Sequence, residues 1–135
     1  MTRFGRQVVS LEEKMRNKEY RDGYVAANVR HWVSTQIRLC AQQRGMTKHN
    51  LSVASGLSEG DIDLVEDPDE TNVDINELLA LASAMDVALS IQFVDYPTFV
   101  DRTSDLSKEA FEVNTFEDVD ADIDALYDSP TGSPS

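Results

Sequence analysis

Residues 51–100 hold eleven carboxylates and not one lysine or arginine, and the whole chain has one cysteine, one tryptophan and four prolines. Each scarcity excludes something. With Cys40 alone no internal disulfide forms, and a zinc site would have to combine that thiol with His31, His49 and carboxylates at spacings that fit no familiar ligand pattern. No run of about 18 apolar residues is present to cross a bilayer. The opening "MTRFGRQVVSLEEK" also lacks the apolar stretch and small-residue cleavage site of a secretion signal. The expected location is the cytoplasm, with no membrane partner. A glycine-rich phosphate loop, a metal-ligand spacing and a nucleophile beside a base are all missing, so the expectation is a non-enzyme with no cofactor. Cys40 reads as a buried thiol, and His31 and His49 as surface groups.

What is abundant is negative charge, and it is unevenly placed. The net charge is −13 over 135 residues. Residues 1–50 carry ten basic against four acidic side chains, a balance of +6, whereas residues 51–135 carry two against twenty-one, a balance of −19. A local basic surface still attracts phosphate when the acidic part of the same molecule points away. Any such surface belongs to the first half.

Hydrophobic spacing divides the chain into 1–16, an N-terminal extension with a possible strand and short helix; 17–100, a helical domain; and 101–135, a mostly disordered acidic tail. Ser10 followed by Glu13 fits a capping box for a short helix over 11–16. Asn17 caps a long helix over 18–44, in which Val29, Val33, Ile37 and Cys40 make the buried stripe and Gly23 marks a bend. Val25, Trp32 and Leu39 form a second stripe, expected to pack on the first helix or on another subunit. Gly45 ends the helix. Thr47 caps a helix over 48–55 with Leu51 and Ala54 inward, Gly56 supplies a tight turn, and Ser58 caps a helix anchored by Ile62 and Val65. Pro68 breaks the chain, and Asp74 with Glu77 starts a helix over 75–85, with Ile75, Leu78, Leu79, Ala82 and Met85 inward. "VALSIQFV", residues 87–94, switches to period two and predicts a strand. A lone strand needs a partner, either residues 3–9 or the same strand of a second subunit. Beyond Tyr96 the register is lost apart from a turn near Ser107, and the ending "YDSPTGSPS" has little to bury.

The order of long helix, Thr-capped helix, glycine turn, Ser-capped helix, loop and leucine-rich helix resembles the Xre helix-turn-helix family, which includes lambda repressor and Cro. The stretches "QIRLCAQQRGMTKHNLSVASGLSEGDIDLVEDPD" and "INELLALASAMDVALSIQFV" are similar to small bacterial, phage and antitoxin-like members, over about residues 17–100. The resemblance implies a mainly α, lambda-repressor-like bundle of four to five helices with a C-terminal β-strand, and a DNA-binding transcriptional regulator acting alone or as a homodimer. It carries DNA contact onto Lys48 with His49 beside it, and onto Ser58, Glu59, Gly60, Asp61 and Asp63; Arg38 and Arg44 are the neighbouring cations for phosphate. Where family members often place Gln, Ser, Thr, Asn or Arg, this chain has three carboxylates and a glycine.

Two readings stand. In the first, basic N-terminal helices hold the DNA backbone while the Ser58-capped helix reads a groove. In the second, the same fold is a protein-interaction module whose acidic helix and tail bind a toxin or another basic partner, or imitate the charge of DNA. The tail adds an expectation of its own. A tethered segment of net charge −8, over 101–135, competes with phosphate for the basic half at high effective concentration.

Overall fold

The computed structural model describes residues 10–70 and 73–120. Within them the chain is mainly helical: α1 (Leu11–Lys14), α2 (Lys18–Gln43), α3 (Lys48–Ser55), α4 (Glu59–Val65), α5 (Ile75–Ala84) and α6 (Tyr96–Thr103), with a 3₁₀ turn at Glu109–Phe111. Side chains set the starts of the helices. Ser10, Asn17, Thr47, Ser58, Asp74 and Asp95 each accept a hydrogen bond from a backbone N–H of the first helical turn, satisfying donors that have no carbonyl to pair with. Gly45 at φ 67° and Gly56 at φ 82° take the left-handed backbone that lets the chain turn after α2 and α3. α2 runs through Gly23 without a break.

The core is one cluster of Ile37, Cys40, Ala41, Leu51, Ile62, Val65, Leu81 and Met85, drawn from α2, α3, α4 and the end of α5. Val33, Leu78 and Val87 pack on its edge. Several side chains expected inward are not. Val29, Ala54, Ile75 and Leu79 are exposed, while Ser34, Thr35 and Leu81 are buried in their place. Helix α5 thus turns Leu81, Ala82 and Met85 inward, leaving Ile75 and Leu79, one turn apart, on its outer side.

The strand expected over 87–94 is not seen: no strand is present among the described residues. Asp86, at φ 60°, turns the chain out of α5, and residues 87–95 run without regular structure to the Asp95 cap of α6. A strand is defined by its ladder, and among the described residues the backbone groups of residues 88–94 pair with none. The proposed partner at residues 3–9 lies outside the described residues.

The acidic region also departs from expectation, since 101–120 is folded onto the domain. Phe99 meets Tyr24 edge-on at 6.3 Å between ring centroids, and the Arg21 guanidinium lies 5.7 Å from the Tyr96 ring. Phe111 is buried with its ring 6.3 Å from that of Trp32, so at Trp32 the second stripe of α2 meets this C-terminal turn. Gln43 Oε1 accepts the Val113 N–H at 3.0 Å, and the Asp86 carbonyl and carboxylate accept the Phe116 and Glu117 N–H groups at 3.0 and 3.2 Å. Composition suggested disorder because one buried aromatic is a weak signal among ten acids. Residues 121–135 lie outside the described residues.

A folded segment makes a testable difference between two phenylalanines five residues apart. Phe111→Ala is expected to cost about 3 kcal/mol in urea unfolding. Phe116→Ala, at a site 55% exposed, is expected to stay within about 0.5 kcal/mol of the parent. Equal, negligible effects would mean that the segment is not packed.

Candidate nucleic-acid interface

The start of α3 and the start of α4 are brought to one surface by the Gly56 turn, and both starts are built with reciprocal caps. Thr47 Oγ1 accepts the Asn50 N–H at 3.0 Å while Asn50 Oδ1 accepts the Thr47 N–H at 3.1 Å. Ser58 Oγ accepts the Asp61 N–H at 3.0 Å while Asp61 Oδ2 accepts the Ser58 N–H at 3.4 Å. Asp61 is therefore the closing half of a cap, and an acid there is favoured by the positive end of the helix dipole as well. Gly60 needs no special backbone; a Cβ placed on it would come no closer than 3.8 Å to Ser58 Oγ.

The other two acids of α4 face the cations of α3. Lys48 Nζ lies 2.6 Å from Asp63 Oδ1, and His49 Nδ1 lies 3.2 Å from Glu59 Oε2. All four side chains remain substantially open to solvent, with Lys48 at 44% and His49 at 73% exposure. The hydrogen bond and charge of Asp63 hold the Lys48 ammonium above its usual pKa, with smaller contributions from Glu59 and Glu66. The surface thus joins two helices through one Lys–Asp ion pair and one His–Glu contact, both too exposed to contribute much to stability.

Glu66, which sequence reasoning passed over, belongs to the same surface. It caps the C-terminal end of α4, where a negative group opposes the helix dipole. Partial burial raises its pKa first and the nearby Asp63 raises it further, while Lys48 and Arg38 act to lower it. The signal was available: Glu66 follows Asp63 by three residues, which puts both on one side of α4.

The expected residues separate into two groups. Lys48, His49, Ser58, Glu59, Gly60, Asp61 and Asp63 fall at the starts of α3 and α4, and exposed Arg38 on α2 acts on Glu66. Arg44 does not join them. Its Nε donates to the Met85 carbonyl at 3.1 Å and its Nη2 to the Val113 carbonyl, so the guanidinium ties the end of α2 to the end of α5 and to the C-terminal segment. Five donors on a planar fork suit two main-chain acceptors at once, and spacing alone gave no view of the second, 69 residues away. Among the described residues no group of three or more His, Cys, Asp or Glu side chains is placed to hold a metal ion. No helix there is long and apolar enough to cross a membrane.

Glu66 gives a pH prediction. Its folded pKa is raised, so the protonated form is favoured in the fold; that contribution is complete below the unfolded value, near 4.5, and is lost as pH rises through the folded value. Glu66→Gln, which keeps the neutral form at every pH, is therefore expected to raise the thermal midpoint at pH 7. The gain should close on acidification below about pH 4. A midpoint lowered at pH 7 would show that the attraction of Lys48 and Arg38 outweighs burial.

Comparison with family models, with curated proteins and with solved structures gives no match in any of the three.

Proposed function

We propose that this chain is a DNA-binding transcriptional regulator of the Xre helix-turn-helix type. The observation that carries the reading is the pair of short helices α3 and α4, each with a reciprocal cap, joined through left-handed Gly56 and packed by Leu51 and Ile62 onto the basic helix α2. In this reading Lys48 and Arg38 hold phosphates, and the exposed start of α4 enters the major groove. Ser58 and Gly60 leave room for a close approach. Glu59 is of a residue type that accepts from the cytosine N4 amino group, one of the base contacts open to a carboxylate.

The ion pairs do not forbid this. An exposed Lys48–Asp63 pair is weak, so the ammonium can exchange its carboxylate for a phosphate at small cost. It then leaves Asp63 unmatched near the DNA backbone, which lowers affinity and steepens its dependence on charge. The second reading, a protein-interaction module for a basic partner such as a toxin, is favoured by a specific observation: Lys48 and His49 at the start of α3 already have partners in Asp63 and Glu59 of α4.

The test is fluorescence anisotropy with the promoter duplex of the chain's own gene and with unrelated duplex, across a salt series. Specific binding is expected to weaken with salt. Lys48→Ala should weaken binding to both duplexes about tenfold and shallow the log–log salt slope by about 1. Asp63→Asn, which frees the lysine and removes a like charge from the backbone, is expected to bind more tightly than the parent. No binding to either duplex at about 50 mM salt, a condition that favours phosphate contact, would reject the regulator and leave the protein-interaction reading.

A further inference from the structure

One group of uncovered apolar side chains forms a groove. On α2, Val29 is 40% exposed, and Val33, one turn further along, packs only on the edge of the core. Together with Val73 and Leu78 they wall a groove of about 230 Å³ between α2, the end of α4 and α5, which buried Val65 also lines. Ile75 precedes Leu78 by three residues on the same side of α5 and is 57% exposed, so the apolar wall continues past the groove. Drug-sized ligands fill sites of about 300–1,000 Å³ with a few precisely placed polar groups; this smaller, aliphatic groove suits side chains presented by a protein segment.

The rim decides which kind of segment. Arg30 of α2 is its one cation, while Asp67 and Glu70 border it from the loop that joins α4 to α5. Exposed Asp69 and Asp74 add two more carboxylates to the same loop. Asp67 Oδ1 accepts the Asp69 N–H at 2.9 Å and Asp74 Oδ1 the Asn76 N–H at 2.7 Å, main-chain donors that leave each negative charge in place. No cation pairs with Asp67, Asp69 or Asp74 among the described residues, and residues 51–100 supply no lysine or arginine that could.

We propose that the groove receives a basic amphipathic helix of another protein, its aliphatic side chains seated between Val29 and Leu78 and its lysine or arginine side chains set against Asp67, Asp69 and Asp74. A helix presents anchors at i, i+3, i+4 and i+7, and a trough walled by two other helices is the shape it fills. Charge selects the sign of the partner. An anionic membrane surface or a nucleic acid would bring phosphates against the acidic loop. A second copy docked by this face about a two-fold axis would bring the same loop to the contact twice. A basic helix is instead attracted over roughly the Debye length, about 8 Å at physiological salt, and is then held by the apolar surface it covers. Lys48, Arg38 and the start of α4 take no part, so the inference goes beyond both readings above and stands or falls apart from DNA binding.

The experiment uses the full chain, without DNA, and two fluorescein-labelled model peptides of about 18 residues, long enough to hold a helix: one of leucine and lysine at amphipathic spacing, the other with glutamate in place of lysine. Anisotropy at physiological salt is expected to show saturable binding of the lysine peptide and none of the glutamate peptide. Val29→Asn and Ile75→Gln remove apolar surface with no change of charge and little change of helix propensity, so each should weaken binding about tenfold while leaving the helical circular dichroism intact. Asp67→Asn keeps an oxygen for the Asp69 N–H and should weaken binding about threefold, with a shallower salt dependence. Asp101→Asn, the same loss of charge at an exposed site on α6, should leave binding unchanged. Binding that ignores Val29→Asn and Ile75→Gln, or that weakens as much with Asp101→Asn as with Asp67→Asn, would be attraction to the net charge of −13 alone and would overturn the proposal. Failure of the lysine peptide to bind the full chain would overturn it as well.

Discussion

Helices of eight and seven residues do not persist in water unaided, since nucleating a helix costs more than so few hydrogen bonds return. Everything at the α3–α4 surface therefore depends on burying Leu51 and Ile62, which are 1% and 0% exposed. Each is the innermost side chain of its helix, and each meets the cluster formed by Ile37, Cys40 and Ala41 of α2 and by Leu81 and Met85 near the end of α5. The caps then fix where the helices start, at about 1 kcal/mol apiece, a small amount beside the burial. Burial holds the pair of helices; caps set their register; the exposed residues at the starts follow from both.

That hierarchy decides how the acids of α4 should be understood. Asp61 closes a cap, and Glu59 and Asp63 bridge to His49 and Lys48, so all three have local partners without reference to any ligand. None of these contacts is deep. A screened, exposed ion pair contributes less than the cap and far less than Ile62, so the sequence had freedom to place other groups there. Carboxylates at Glu59, Asp63 and Glu66 are consequently a chemical choice at the surface and not a requirement of the fold. Glu66 makes the point most sharply, because partial burial and the Asp63 charge work against its ionised form. Whatever meets this surface meets matched charges with one surplus acid side, and the surplus sets the electrostatic cost for DNA and the attraction for a basic protein.

The sequence made the local half of this structure legible. Ser10, Asn17, Thr47, Ser58 and Asp74 announce helix starts because a cap is a contact over two or three residues, and Gly45 and Gly56 announce turns because few other residues adopt positive φ. The candidate surface was legible for the same reason, lying within two turns of Thr47 and Ser58. What escaped was long-range. Val29 and Ile75 have core spacing but stay exposed, because spacing does not say which side of a helix the core will cover. Arg44 looked like a phosphate contact because its acceptors, Met85 and Val113, are remote in sequence. The 87–94 pattern read as a strand, yet a strand exists only with its ladder, and periodicity describes one side of that relation.

The C-terminal segment shows how far charge and packing separate. It docks through an aromatic ring and main-chain groups: Phe111 against Trp32, the Val113 N–H and C=O against Gln43 and Arg44, and two N–H groups against Asp86. Its carboxylates make no hydrogen bond to the rest of the domain among the described residues, although the Arg44 charge acts on Asp118. Asp105 and Asp118 stay exposed, each held below the usual carboxylate range by hydrogen bonds from Ser107 or Thr115, and Glu109, Glu112 and Glu117 face solvent as well. The acids are thus carried on the domain by contacts made chiefly through other groups. Residues 101–120 impose a negative field on the domain whose reach is the Debye length, about 8 Å at physiological salt. Neutralising those glutamates changes the field without loosening the fold, whereas removing Phe111 loosens the fold and leaves the charge.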